Sequence, residues 1–469
     1  MYKSKFREQA HQLVDWMADY LENTEQYPVK SQVLPGDIAA QIPAFPPDEG
    51  ESFNTILSDF DSKIMPGITH WQHPSFFAYF PATNSDPSVL AEMLTATLGA
   101  QCMMWVTSPA ATEMEERMLE WLKIMLHLPD TWHGVIQDTA STATICALLT
   151  AREVKTGFSI NENGFENNPY RIYCSEQAHS SIEKGVGIAG FGRNNLRKIA
   201  CDEEFAMIPA ELERAILQDI ENGLTPLFVV GALGTTGSTA IDPIDEIGEI
   251  ATKYALWYHI DAAHSGTALI LEEFRSRFKK LNLADSFVFN PHKWMFTNFD
   301  CSAYFVRDKD ALINTFSMTP EYLRTREEAH VNNYKDWGIQ LGRRFRALKL
   351  WFVIRYMGVN EIKVRIRNHI RLGQWFARQI EDHHDFELLA PVPLNTVCFR
   401  YNPGQYDEEK LNEINEELMH TLNDSGKLFL THTKLNGKFA LRLVAGQTNV
   451  EIHHVEEAWN LIRAEANKN

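Results

Sequence analysis

Three things are scarce in this sequence. Cysteine comes to six residues, Cys102, Cys146, Cys174, Cys201, Cys301 and Cys398, with no CxxC pair among them. That scatter argues against a disulfide framework and suits reduced, buried thiols in a large intracellular protein. Long apolar runs are missing as well. No window approaches the roughly 18 uninterrupted apolar residues of a membrane span, and the opening MYKSKFREQAHQLV has no apolar signal core. A cytoplasmic protein without a membrane partner is expected. Positive charge is short too: 44 basic side chains face 62 acidic ones, for a net charge of -18. Such a surface repels nucleic acid and anionic membranes, so neither is expected as a partner.

What is present, 44% hydrophobic and 23% charged in 469 residues, describes an ordinary globular protein with room for a large core. A large α/β enzyme with a smaller appended domain fits that length. Phe6, Leu13, Val14, Met17, Tyr20 and Leu21 recur at helical steps before a proline-rich passage from Pro28 to Pro47. That helix needs a partner surface, either another subunit or its own chain. Residues 71 to 88, WQHPSFFAYFPATNSDPS, are dense in aromatics, which either plug gaps in a core or offer a flat apolar wall to an aromatic substrate.

From about residue 113 strand and helix patterns alternate, which implies a mostly parallel sheet covered on both faces. Five strand ends then carry polar residues. Gly134 to Gln137 leads into DTASTATICALLTAR, Arg171 to Cys174 into SEQAHSS, Leu227 to Leu233 into GTTGST, and Leu256 to Ile260 into DAAHSG. The fifth end follows Ser286 to Phe289 and holds Lys293, with Ser302 to Val306 as a further buried strand beyond it. Ligands in open α/β sheets bind outside the carboxyl ends of strands, so five polar ends describe one site.

Two readings fit Lys293 itself: an exposed loop lysine, or a lysine in a cleft whose amine loses its proton and forms an imine with an aldehyde, pyridoxal 5'-phosphate being the obvious one. Asp261 in HIDAAH supplies the carboxylate that a pyridine nitrogen needs to stay protonated, and Ala263 leaves room beside it for a flat ring. A metal set of His259, Asp261 and His264 is the rival, without the HExxH helix that would support it. His179 either stacks on the ring or is a histidine satisfied locally. Thr139 to Ser141 open a helix whose free N–H groups suit a phosphate or need only a cap, while Asp138 just before them would repel an anion.

Taken together, HWQHPSFFAYFP, SPAATEME, SEQAHSSIEKG, HIDAAH, NPHKW, NFDCSA and LGRRFRALKLWF make the chain resemble the pyridoxal-phosphate-dependent group II amino-acid decarboxylases, most closely those acting on aromatic L-amino acids. The resemblance implies an aspartate-aminotransferase-like (fold type I) α/β fold with a mostly parallel central sheet. It also implies an N-terminal arm over 1–80, a cofactor domain over 81–350, a small C-terminal α+β domain over 351–469, and a homodimer. It makes Lys293 the lysine that binds the cofactor aldehyde, Asp261 the ring-nitrogen partner, His179 the stacking group and Ala263 the contact on the opposite face. Asn290, His292, Thr139 and Ala140 would hold or flank the phosphate, with Thr236 near cofactor and substrate. Tyr322, in TPEYLRTREEAHVNNYKDW, matches the mobile-loop tyrosine that returns a proton to the substrate.

The resemblance also carries the substrate reading. Trp71, Tyr79, Phe80, Pro81, Gln101, Met103 and Gly342 are the expected substrate contacts, and Gly342 stands where related histidine and plant phenolic-acid enzymes carry serine. Tryptophan and its hydroxylated forms are therefore expected as substrates, alongside tyrosine, dopa and phenylalanine. Because Tyr322 and His179 are both present, simple decarboxylation is favoured over the oxygen-using aldehyde synthases of the same family; a decarboxylase of another amino acid such as histidine is the other alternative. A transaminase, or a relative without activity, represents the remaining classes. Departures fall at Asp138 and Thr139, where animal enzymes carry glycine and serine, at Ala82, and at Gln101 and Met103.

Overall fold

The protein is described by a computed structural model that covers residues 2–318, 326–327 and 330–468. Its main sheet has seven strands: β1 His133–Gln137, β2 Tyr170–Ser175, β3 Leu196–Ile199, β4 Thr225–Ala232, β5 Trp257–Asp261, β6 Ser286–Phe289 and β7 Ser302–Val306. They lie in the order β1-β7-β6-β5-β4-β2-β3. Pairings from β3 through β6 are parallel, while β7 runs antiparallel to both β6 and β1. Both β6 and β7 are buried at every residue, as continuous apolar runs require when helices cover both faces of a sheet.

The strands expected at 286–289 and 302–306 appear with those bounds. The others differ by one or two residues at their ends, with one shift of consequence. Asp261 is the last paired residue of β5, opposite Ala232 and Val288, and Ala263 lies beyond the strand. Simple alternation therefore does not carry Ala263 onto the Asp261 face; its N–H instead turns back to the Asp261 carboxylate at 3.0 Å.

Compact packing divides the chain into two units, Ala82–Gln374 with Ala390–Val397, and Met1–Pro81 with Trp375–Leu389 and Cys398–Asn469. In the first, the helices Ala140–Lys155, Ser180–Ile188, Pro209–Glu221 and Ile244–Lys253 are the coverings that parallel strands demand. The carboxyl end of β4 is fastened by Asp242, whose two oxygens accept the Ala232 and Met207 N–H groups, each at 2.8 Å. Burial pushes the Asp242 carboxyl up to about 6 against the pull of those two amides.

The second unit contains most of a further four-stranded sheet, β8 Phe386–Leu388, β9 Thr396–Tyr401, whose first two residues fall in the other unit, β10 Thr431–Leu435 and β11 Lys438–Val444, ordered β10-β11-β9-β8. Its proline- and aromatic-rich N-terminal passage is tied to the C-terminal segment through the main chain: Val29 N–H donates to Gly426, Phe77 N–H to Phe429, and Val444 N–H to Phe77. The first helix, Tyr2–Glu22, divides between the two readings left open for it. Trp16 packs edge-on against Phe60 and Tyr20 bonds His70 on its own chain, while Phe6, Leu13 and Val14 stay exposed.

Candidate active site

Lys293 sits where β6 ends. Asn290 N–H donates to the Ala263 carbonyl at 2.9 Å, its side-chain oxygen accepts the Ser302 hydroxyl at 2.6 Å, and Pro291 then starts the single helical turn Pro291–Trp294. The turn is clamped from behind. Buried Trp294 donates its indole N–H to His369 Nδ1 at 2.9 Å, and His264 stacks on it at 4.6 Å between centroids, itself bonded to Asn395 at 3.0 Å. Lys293 is half-buried on this rigid turn, which removes the reading of an exposed loop lysine. Its neighbour His292 accepts the Cys301 N–H at Nδ1, 2.9 Å away. A neutral ring then carries its proton on Nε2, as a donor. Burial first, and the charge of Lys293 next, lower the His292 pKa to about 3.

One oxygen of Asp261 is engaged by the Ala263 N–H, and the other has no hydrogen-bond donor among the described residues. His179 faces this region. Burial lowers its pKa, the Asp261 charge opposes that shift and the Lys293 charge adds to it, so both charges reach the one imidazole. Nδ1 of His179 lies 2.8 Å from the Ser181 hydroxyl and accepts the Ser181 N–H at 3.2 Å, capping the Ser180–Ile188 helix and fixing the ring. The locally satisfied reading of His179 is thus part of its geometry, and it leaves a ring kept neutral by burial and held at Nδ1. At neighbouring strand ends the Ser175 and Ser265 hydroxyls are buried without a partner among the described residues. Thr236 lies half-buried on the turn that follows β4.

Thr139 is the N-cap of the Ala140–Lys155 helix, its hydroxyl accepting the Thr142 N–H at 3.4 Å. The Ala140 and Ser141 amides, first in the helix, have no acceptor among the described residues. Asp138 bonds the Thr139 N–H at 2.6 Å and the Gln340 side-chain amide at 2.8 Å.

The expected substrate contacts fall in both units. Gln101 and Gly342 are adjacent in the larger: Gln101 Oε1 accepts the Arg343 N–H at 2.6 Å, and a Cβ on Gly342 would lie 3.3 Å from Gln101 Nε2. Met103, nearby in sequence, accepts the Lys335 N–H through its carbonyl at 2.9 Å. In the smaller unit Trp71 and Tyr79 stack at 5.6 Å and 13°, both partly exposed, and Phe80, followed by Pro81, is buried beneath the Arg442 guanidinium at 5.3 Å. Tyr322 lies outside the described residues.

Pattern reading passed over His369, Asn395 and Gln340, which contact site elements from 75, 131 and 202 positions away. No local periodicity announces such partners; only the bulky Trp294 beside the lysine hinted at a clamp. Of the rival metal set, His259 is buried between Ser286 at 2.9 Å and Thr144 at 3.5 Å, and His264 is spent on Asn395.

Comparison with known proteins agrees with this architecture. The family described as "Pyridoxal-dependent decarboxylase conserved domain" matches residues 35–402. Tyrosine decarboxylase 4 of Petroselinum crispum is 42% identical over 477 residues, covering 98% of this chain and 93% of that protein. Phenylacetaldehyde synthase of Arabidopsis thaliana is 43% identical over 476 residues, covering 99% and 96%. Among solved structures, Oryza sativa TDC with PLP and tryptamine superposes with a TM-score of 0.96 at 35% identity, covering 99% of this chain and 98% of that one. With strands, lysine turn and full-length matches in agreement, the chain belongs to the pyridoxal-dependent decarboxylase family and is a carboxy-lyase that uses pyridoxal phosphate.

Proposed function

We propose that this enzyme removes the carboxylate of aromatic L-amino acids, tryptophan and tyrosine types included, to give the arylalkylamine and carbon dioxide. The observation that carries the proposal is the grouping of Lys293, Asp261 and His179 at neighbouring strand ends in a chain 42% identical to a tyrosine decarboxylase over nearly its full length. Open groups support the fit of the cofactor: the unengaged oxygen of Asp261, the Ala140 and Ser141 amides, and the Nε2–H of His292. When bound, pyridoxal phosphate supplies an electron sink for the bond that breaks.

In this reading each residue has a defined task. Lys293 would hold the cofactor through its aldehyde. Asp261 would offer its carboxylate to the ring nitrogen and keep that nitrogen protonated, and neutral His179 and Ala263 would line the ring. Thr139, Ala140, Asn290 and His292 hold the phosphate, with Thr236 beside the reacting groups. Tyr322 delivers a proton to the α carbon once carbon dioxide has left, inside a site closed against water. Gln101, Met103 and Gly342 bear on substrate choice, Gly342 by withholding a side chain beside Gln101. In the smaller unit the stacked Trp71 and Tyr79, with Phe80 and Pro81, are further candidates for contact with an aromatic ring. A homodimer is part of the proposal, supported by the exposed Phe6, Leu13 and Val14 and by the exposed stripe Leu90, Leu94 and Leu98 on the Asp86–Leu98 helix. So is a cytoplasmic location.

A second reading, an aldehyde synthase, is favoured by the 43% identity to phenylacetaldehyde synthase. A panel of amino acids with amine, carbon dioxide, aldehyde and oxygen uptake all quantified separates the two. Amine equal to carbon dioxide with tryptophan or tyrosine is expected; aldehyde formed with matching oxygen uptake, or histidine turned over fastest, would refute the proposal.

A further inference from the structure

The Ala140–Lys155 helix already has an anion over its first turn. Asp138 takes the Thr139 N–H at 2.6 Å on one oxygen and the Gln340 amide at 2.8 Å on the other, and the Thr142 hydroxyl also bonds it. The carboxylate is held from two separate elements rather than by its own turn alone. Gln340 reaches it because its segment runs hard against the end of β1. Gln137 donates to the Trp337 carbonyl at 3.1 Å, and a Cβ on Gly338 would come within 2.7 Å of the Gln137 amide.

Burial resists the charge on Asp138, but the donated hydrogen bonds and the Arg346 guanidinium outweigh it and hold the carboxyl below its ordinary value. Arg346 is not free to neutralise a second anion, because it is engaged by Asp300 at 2.9 and 3.2 Å. The unengaged Ala140 and Ser141 amides therefore offer a phosphate a place at a helix end whose positive field is already shared with a fixed carboxylate.

We propose that Asp138 sets the affinity for the phosphorylated cofactor, because its fixed carboxylate shares the helix end with the phosphate and repels it. This rests on the reading that Thr139 and Ala140 flank the phosphate. A purely structural cap would instead make any loss of the Asp138 charge neutral or harmful to binding.

The Asp138→Asn variant removes the charge and keeps the shape, since Gln340 can turn its amide and still bond it. Apo protein of the wild type, Asp138→Asn, Asp138→Gly and Thr139→Val would be titrated with pyridoxal phosphate and, separately, with pyridoxal, following absorbance and tryptophan quenching. Asp138→Asn and Asp138→Gly should bind pyridoxal phosphate about tenfold more tightly, as befits one unit charge removed from a partly buried neighbourhood, with pyridoxal unaffected. No tightening, or equal tightening for both ligands, overturns the inference. If Thr139→Val lowers the preference for the phosphorylated ligand while the Asp138 variants change nothing, the phosphate reading stands and Asp138 has no part in it. If all three variants leave that preference unchanged, the phosphate reading itself fails.

Discussion

At the scale of single residues, environment decides what each titratable group can do. His292 and His179 are both kept neutral by burial, and in both a hydrogen bond accepted at Nδ1 fixes which nitrogen carries the proton. Asp242 shows the opposite case, a carboxyl raised to about 6 by burial. A carboxyl raised in the folded state contributes stability that is complete below its ordinary value near 3.8 and is lost as pH climbs through about 6. The stability advantage of the wild type over Asp242→Asn should accordingly shrink between pH 4 and pH 6. Thermal unfolding midpoints of both proteins across that range measure it; a constant or widening gap would show that Asp242 does not titrate there. Lys293, Asp261 and His179, the residues proposed to carry the chemistry, could be picked out at this scale because they follow strand-like runs. Their protonation was not, since it depends on burial by segments far along the chain.

At the scale of elements, buried parallel strands were easy to find because both of their faces are apolar. The four-residue β3 and the small sheet were not: β10 is half-exposed and mostly polar, and β8 is only three residues long. The helical run Arg346–Glu381 hides a break at Gly358, where φ is 72° and ψ is 161°, a conformation almost confined to glycine. No atom lies within 4 Å of a Cβ added there, so strain alone is at issue. Gly358→Ala should cost about 1–3 kcal/mol. A urea unfolding curve reads this as a lower midpoint with unchanged slope, and a superimposable curve would show that the break relaxes without cost.

At the scale of the whole molecule, acidity and unpartnered apolar faces act together. A net charge of -18 keeps such a protein soluble, yet Phe6, Leu90 and Leu98 are each more than half exposed. Isolated apolar residues on a surface are normal, whereas a stripe at helical spacing implies a covering surface. Light scattering on the purified enzyme should give a particle near twice the 53.7 kDa of one chain, and a mass of one chain at micromolar concentration would refute the dimer. No helix among the described residues is long and apolar enough to cross a membrane.

By itself the sequence determined the alternation of strand and helix and which side chains are candidates for the chemistry, because both are written in short-range periodicity and in residue chemistry at strand ends. The tertiary structure alone decided how those side chains are held: Trp294 between His264 and His369, and Asp138 under Gln340 from 202 positions away. Hydrogen-bond partners and burial are set by whatever packs nearby in space, and sequence distance carries no trace of that proximity.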